Sequence, residues 1–194
     1  MRLLKHLVIV AATVLLGVSA GAATTVIHGV KVEDSATVGG VALQLNGAGT
    51  RYFGPFKIYV ADLYATKKVG SLEELLAAPG PKRLTMTMLR EQEAGPFGKK
   101  LTRGIEDNSS RTEMSKLVPG LIKMGDIFSS LKVATVGDVI YVDWIPGTGM
   151  VVTAKGKVQG EPFKEPEFFK AMMSIWLGPV PADHTLKDAL LGTK

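Results

Sequence analysis

Residues 45–64 read Leu-Asn-Gly-Ala-Gly-Thr-Arg-Tyr-Phe-Gly-Pro-Phe-Lys-Ile-Tyr-Val-Ala-Asp-Leu-Tyr. Asn46 to Gly49 is a turn by composition, because Asn and Gly accept backbone angles that other residues avoid. Arg51 to Tyr64 is rich in aromatic and aliphatic side chains. Within it Phe56, Ile58 and Val60 alternate with Lys57, Tyr59 and Ala61, which is the period of a strand. Arg51 enters this apolar strand just after the expected turn. A guanidinium in that position either faces water or is aimed at an anion.

The pattern extends in both directions. Val26–Val32 and Ala36–Leu45 read as two strands around a turn. Ser71–Ala78 reads as a short helix, with Ser71 as N-cap and Glu74 three residues on, a capping box. Pro79, Gly80 and Pro81 end it. Arg83–Arg90 alternates again, with Leu84, Met86 and Met88 on one face and Thr85 and Thr87 on the other. Phe97–Leu131 has helical spacing with an expected break at Pro119–Gly120. Val139–Ile145 and Met150–Ala154 are strands joined by the turn Pro146–Gly149, and a further tight turn is expected near Gly156. Glu167–Leu177 is a helix carrying Phe168, Phe169, Met172, Met173 and Trp176, stopped by Gly178 and the prolines at 179 and 181. Asp183 caps a last helix reaching Leu191. Runs of strands beside runs of helices predict an α+β fold: an antiparallel sheet with helices packed on one face.

The N-terminus has a different character. Arg2 and Lys5 precede an uncharged apolar run from Leu7 to Val18, followed by Ser19, Ala20, Gly21, Ala22 and Ala23. A basic start, an apolar centre and small residues at a cleavage point are the parts of an export signal. The run is shorter than the roughly 20 residues a spanning helix needs. Residues 1–22 are therefore read as a signal peptide and 23–194 as one exported domain, periplasmic or secreted, with no stable membrane anchor after cleavage. The signal removes two of the 23 basic residues, leaving 21 against 18 acidic ones, a net charge of +3. A domain of that charge with no basic cluster is not read as a nucleic-acid binder. The sequence contains no Cys, which excludes disulfides, thiol catalysis and zinc–thiolate sites.

Catalytic signatures are missing: the chain has no G-x-S-x-G, no H-E-x-x-H and no P-loop. His6 belongs to the signal, and His28 and His184 lie near the two ends of the exported chain without a carboxylate or Ser motif at useful spacing. No metal and no cofactor is expected. What remains is Arg51 and the supply of Met and aromatic side chains, which fill a core or line an adaptable apolar pocket.

Leu45–Arg51 followed by Phe56–Tyr64, Gly95-Pro-Phe97 before the polar helix, and Phe168–Gly178 before a Pro-bearing loop and final helix together resemble the chalcone isomerase-like family. The likeness runs over roughly residues 26–192 and is closest to its exported bacterial branch. The resemblance implies an open-faced sandwich, an antiparallel sheet with a ligand cleft between it and the helices. Plant members close a hydroxychalcone to a flavanone, with an Arg steadying the phenolate and hydroxyls polarising the carbonyl. Plastid members hold a fatty acid, with an Arg on its carboxylate. Arg51 falls on that Arg. Tyr59 stands where the enzymes have Thr, no Tyr occurs between Tyr64 and Tyr141, and Ile175 stands where they have Ser or Thr.

The reading that follows is an exported protein binding a fatty acid or similar small amphipathic carboxylate. Arg51 is its polar anchor, and Tyr59, Met86, Met172, Met173 and Trp176 are the expected cleft residues. The alternative is an isomerase acting on a phenolic or enone substrate, and a third reading is a partner-binding domain with a filled core. An inward-pointing Arg51 also requires water or an acidic partner when no ligand is bound. The expected mature N-terminus is Ala23 or Thr24. N-terminal sequencing of protein from an exporting host checks it, and an intact Met1 in the exported fraction contradicts it.

Overall fold

The computed structural model describes residues 24–193, so the segment read as a signal lies outside the described residues. The chain opens with β1 (Thr24–Ile27) and β2 (Val30–Glu33), antiparallel about His28–Gly29. Next come β3 (Ser35–Val38), β4 (Val41–Phe53) and β5 (Phe56–Ala65). Each stretch expected as one strand over 26–32, 36–45 and 51–64 is divided by a two-residue turn. His28–Gly29 and Gly39–Gly40 both take positive φ, the geometry that matches the twist of a hairpin. At the third turn, Gly54–Pro55, Gly54 has φ +54.

The short helix α1 (Leu72–Ala77) is capped as expected. Ser71 Oγ accepts from the Glu74 N–H at 3.1 Å, although the Glu74 carboxylate reaches back to Gly70 N, not to the cap residue. Then follow β6 (Lys82–Met88), β7 (Gln92–Glu93), α2 (Ala94–Glu106), α3 (Arg111–Leu131) and β8 (Val133–Ala134), which pairs with β7. The chain ends with β9 (Val139–Ile145), β10 (Gly149–Ala154), β11 (Lys157–Val158), α4 (Pro166–Leu177) and α5 (His184–Leu191). Seven strands make one sheet in the order β11-β10-β9-β6-β5-β4-β3, every neighbour antiparallel. The fold is α+β, as the alternation of strand and helix runs predicts. No described helix is long and apolar enough to cross a membrane.

The expected turn at Asn46–Gly49 is instead the interior of β4. The glycines there serve close packing. A Cβ on Gly47 would lie 2.0 Å from the Ala189 carbonyl oxygen, and one on Gly49 2.7 Å from the Ala189 Cβ, so α5 rests on bare backbone. Asn46 sits at a bulge between Leu45 and Gly47. Its amide donates to Val69 O at 2.9 Å and Leu190 O at 2.7 Å, and its oxygen accepts from Val69 N at 2.7 Å.

The expected helix break at Pro119–Gly120 is also displaced. The division falls at Asn108–Ser110, where Ser110 and Glu113 form a full capping box that starts α3, and Pro119 lies inside α3. Gly120 is there for contact, since a Cβ would lie 2.3 Å from the Phe168 ring.

The two faces of the sheet differ. Tyr59, Ala61 and Leu63 of β5 and Leu84, Met86 and Met88 of β6 face the helices and share one buried core with them. The other face carries Asp62, Tyr64, Thr85 and Asp143, all buried. There Arg83 donates Nε and NH2 to the two Asp143 oxygens, each at 2.6 Å, and lies over the Tyr141 ring. Among the described residues Asp62 has no ion-paired cation of its own. Burial pushes its carboxyl up to about 6 against the pull of Thr85 hydrogen bonding and the Arg83 charge. A carboxyl that holds its proton more tightly when folded stabilises the fold at low pH. Stability is then lost as pH rises from the ordinary value of 3.8 toward about 6. A shift of that size corresponds to at most about 3 kcal/mol. Asp62→Asn is expected to flatten the fall in thermal stability between pH 4 and 6. Melts of both proteins across that range check it, and parallel curves exclude Asp62 as the cause.

Candidate functional site

Where the outer ends of β4 and β5 meet α2, a cleft of about 320 Å³ opens on the helical side of the sheet. That is the lower end of the roughly 300–1,000 Å³ usual for small-molecule sites. Its floor is Arg51 and Tyr59, which are paired in register across β4 and β5 and so share a face. Phe97, Lys100, Leu101 and Gly104 of α2 form one wall, at the three-and-four spacing of a single helical face. Ile175 and the loop Val180–Ala182 close the far side. Two details hold these walls together. Gly104 lets α2 approach until a Cβ there would lie 3.0 Å from Ile175. Asn108 Nδ2 donates to Gly104 O and Val180 O at 2.8 Å, and its oxygen accepts from Val180 N at 2.9 Å.

Arg51 is neither free nor fully exposed. It donates to the Tyr52 carbonyl oxygen and to Asp183 Oδ2, 3.4 Å away. The same carboxylate accepts from the Tyr52 N–H at 3.1 Å and caps α5 through the Leu186 N–H at 3.2 Å. The acidic partner that an inward Arg51 requires is therefore Asp183, the residue the sequence marks as a cap. Tyr59 accepts from Trp176 Nε1 at 2.9 Å. Indole can only donate, so the phenol keeps its own proton to give. Burial raises its pKa to about 12, against lowering by Trp176 and by the Arg51 charge. Tyr59 is thus a neutral donor at ordinary pH and not a base. Arg103 pairs with Asp107 at 3.0 Å and with Glu106 at 3.5 Å. Lys100 has no carboxylate partner among the described residues, and its Nζ lies 4.9 Å from the Phe53 ring centre. The cleft is therefore apolar where Phe97, Leu101 and Ile175 line it and polar at its floor and at Gln92, Lys100, Arg103 and Asp107, with Lys100 as its unpaired cation among the described residues.

The other expected cleft residues lie deeper. Met86, Met172 and Trp176 line a narrow apolar gap of about 20 Å³ between sheet and helices, while Met173 lies in the core and lines neither space. Phe97 and Leu101 line both the cleft and the gap and form the partition between them. Phe97 meets Tyr59 on one side and Phe128 on the other, edge to face. Lys100 and Phe53 were not among the candidates. Lys100 is legible in hindsight from its place one helical turn after Phe97. Among the described residues no group of three or more His, Asp or Glu side chains is placed to hold a metal ion.

The family model described as chalcone isomerase-like matches residues 24–192. The chain belongs to the chalcone isomerase-like family. Among solved structures, a fatty-acid binding protein of Arabidopsis thaliana has the same fold. It matches with a TM-score of 0.68 at 14% identity, over 88% of this chain and 97% of that one. At that identity the likeness is one of fold. No curated protein matches the chain.

Proposed function

We propose that this member of the family binds a fatty acid, or a similar small amphipathic carboxylate, in the cleft above Arg51 and Tyr59, and that it does so outside the cytoplasm. The observation that carries the reading is the register pair Arg51–Tyr59, a cation and a neutral hydroxyl donor side by side at the floor of a cleft in which Phe97, Leu101 and Ile175 supply apolar wall. A guanidinium and a phenol together suit the two oxygens of a carboxylate. The apolar tail has somewhere to go. Beyond Phe97 and Leu101 lies the gap lined by Met86, Met124 and Met172, whose unbranched side chains repack readily. The fold shared with a protein named for fatty-acid binding supports the same reading. The isomerase alternative is less well served. Among the described residues lining the cleft, Tyr59 carries the only hydroxyl, and Ile175 places a hydrocarbon wall opposite it.

Asp183 gives the reading a distinctive signature, because it competes with the ligand for Arg51. Titration calorimetry with a soluble fatty acid is the measurement. Arg51→Leu is expected to weaken binding by about 2 kcal/mol, the low end for a buried charge pair, since the Arg51 side chain is 20% exposed. Arg51→Lys should recover part of that. Asp183→Asn keeps an effective helix cap but removes the competing charge, so binding should tighten. Equal affinity in all of these folded variants removes Arg51 from the site, and looser binding by Asp183→Asn shows that Asp183 orients Arg51 and does not compete.

A further inference from the structure

The β4–β5 hairpin ends in Tyr52-Phe53-Gly54-Pro55-Phe56-Lys57, and its apolar side chains do not fold inward. Phe53 is 59% exposed and Phe56 47%. Grouped rings held out at a hairpin tip are the kind of exposed apolar surface that marks an interaction site. Around them stand cations from separate elements. The Arg90 guanidinium, from the segment after β6, lies 4.3 Å from the Phe56 ring centre, and Lys100 of α2 lies over Phe53. Lys57 follows in β5, its Nζ 3.2 Å from His28 Nδ1. None of Lys57, Arg90 and Lys100 is ion-paired to a carboxylate among the described residues, although Glu91 adjoins Arg90 in the chain.

We propose that this tip is a reversible membrane-docking surface, fitted to an anionic lipid bilayer and placed so that the cleft mouth rests on the lipid. Protruding aromatic rings ringed by Lys and Arg match the headgroup boundary, where rings enter the apolar edge while the cations stay with lipid phosphates and carboxylates. Charge complementarity selects the occupant: three uncompensated cations around two exposed rings fit an anionic surface. The position of the tip adds to this. Phe53 and Lys100 belong both to the tip and to the lining of the cleft. A docked molecule would therefore open its cleft directly onto the bilayer, and an amphipathic ligand would pass between them without crossing water. That transfer role rests on the carboxylate reading of the cleft, whereas docking itself does not.

The test is vesicle flotation, using protein recovered from an exporting host so that every sample has the same N-terminus. One vesicle set is phosphatidylcholine alone and the other is phosphatidylcholine with phosphatidylglycerol at roughly three to one. The wild type is expected on the anionic vesicles and much less on the neutral ones, with release on added salt. Lys57→Gln and Arg90→Gln should each weaken anionic binding about fivefold, and Phe56→Ser should weaken it further. None of these three residues lines the cleft, so fatty-acid affinity measured by calorimetry without vesicles should be unchanged, which also verifies folding. Docking with no fatty-acid binding sustains the surface and fails the cleft reading. Absence of wild-type binding to anionic vesicles, or equal binding by wild type and a Phe56→Ser/Arg90→Gln variant, overturns the proposal and leaves the tip to a protein partner.

Discussion

Helix α5 lies flat on β4 because two glycines let it. With no side chain at Gly47 or Gly49, the helix backbone meets the strand backbone, and the contact is locked from both ends. Asn46 ties the strand to the end of α5 through the Leu190 carbonyl. Asp183 ties the start of α5 to the strand through the Tyr52 N–H and the Arg51 guanidinium. The arrangement of the candidate site depends on this seating. It sets where the loop before α5 crosses, and that loop is the far wall of the cleft. It also holds the one charged side chain on the cleft floor by a carboxylate with three separate tasks.

The polar groups of the cleft floor are two and already engaged, and this shapes what they can do. Trp176 occupies the acceptor side of Tyr59 and leaves its proton directed elsewhere. Burial keeps that proton in place. The result is a site equipped to donate hydrogen bonds to an anion and poorly equipped to take up a proton. Around it the packing is dense but soft. The space beyond Phe97 is lined by Met86, Met124 and Met172 among Leu, Ile, Val and aromatic side chains, and the methionines yield to an incoming chain at less cost than their branched neighbours.

The opposite face of the sheet carries a buried polar layer that contributes no lining to the cleft. Arg83 and Asp143 satisfy one another there with two short hydrogen bonds. Asp62 remains as a buried carboxyl without a dedicated cation among the described residues, and burial dominates its titration. Through Asp62 this layer favours the fold at low pH and weakens it as pH rises toward about 6, at a distance from the ligand site.

The features legible in the sequence are those decided within a few residues. Ser71 and Asp183 cap their helices, Gly178 and its prolines end α4, and Pro146–Gly149 turns β9 into β10, because each outcome rests on local backbone angles and nearby hydrogen bonds. The alternation of Leu84, Met86 and Met88 sets the inward face of β6 for the same reason. The resemblance of three short segments was enough to identify the family. What failed was the purpose of glycine and proline. Gly47, Gly49 and Gly120 look like turn and break signals, yet each serves a contact with a residue tens to more than a hundred positions away, such as Ala189 or Phe168. Arg51 and Asp183 were both visible as residues, but their pairing spans 132 positions and exists only once α5 is seated. Local chemistry is written along the chain. Close approach between distant elements, and the division of side chains between core, gap and cleft, arises only when the chain has folded, because a side chain's neighbours are then set by packing and not by order.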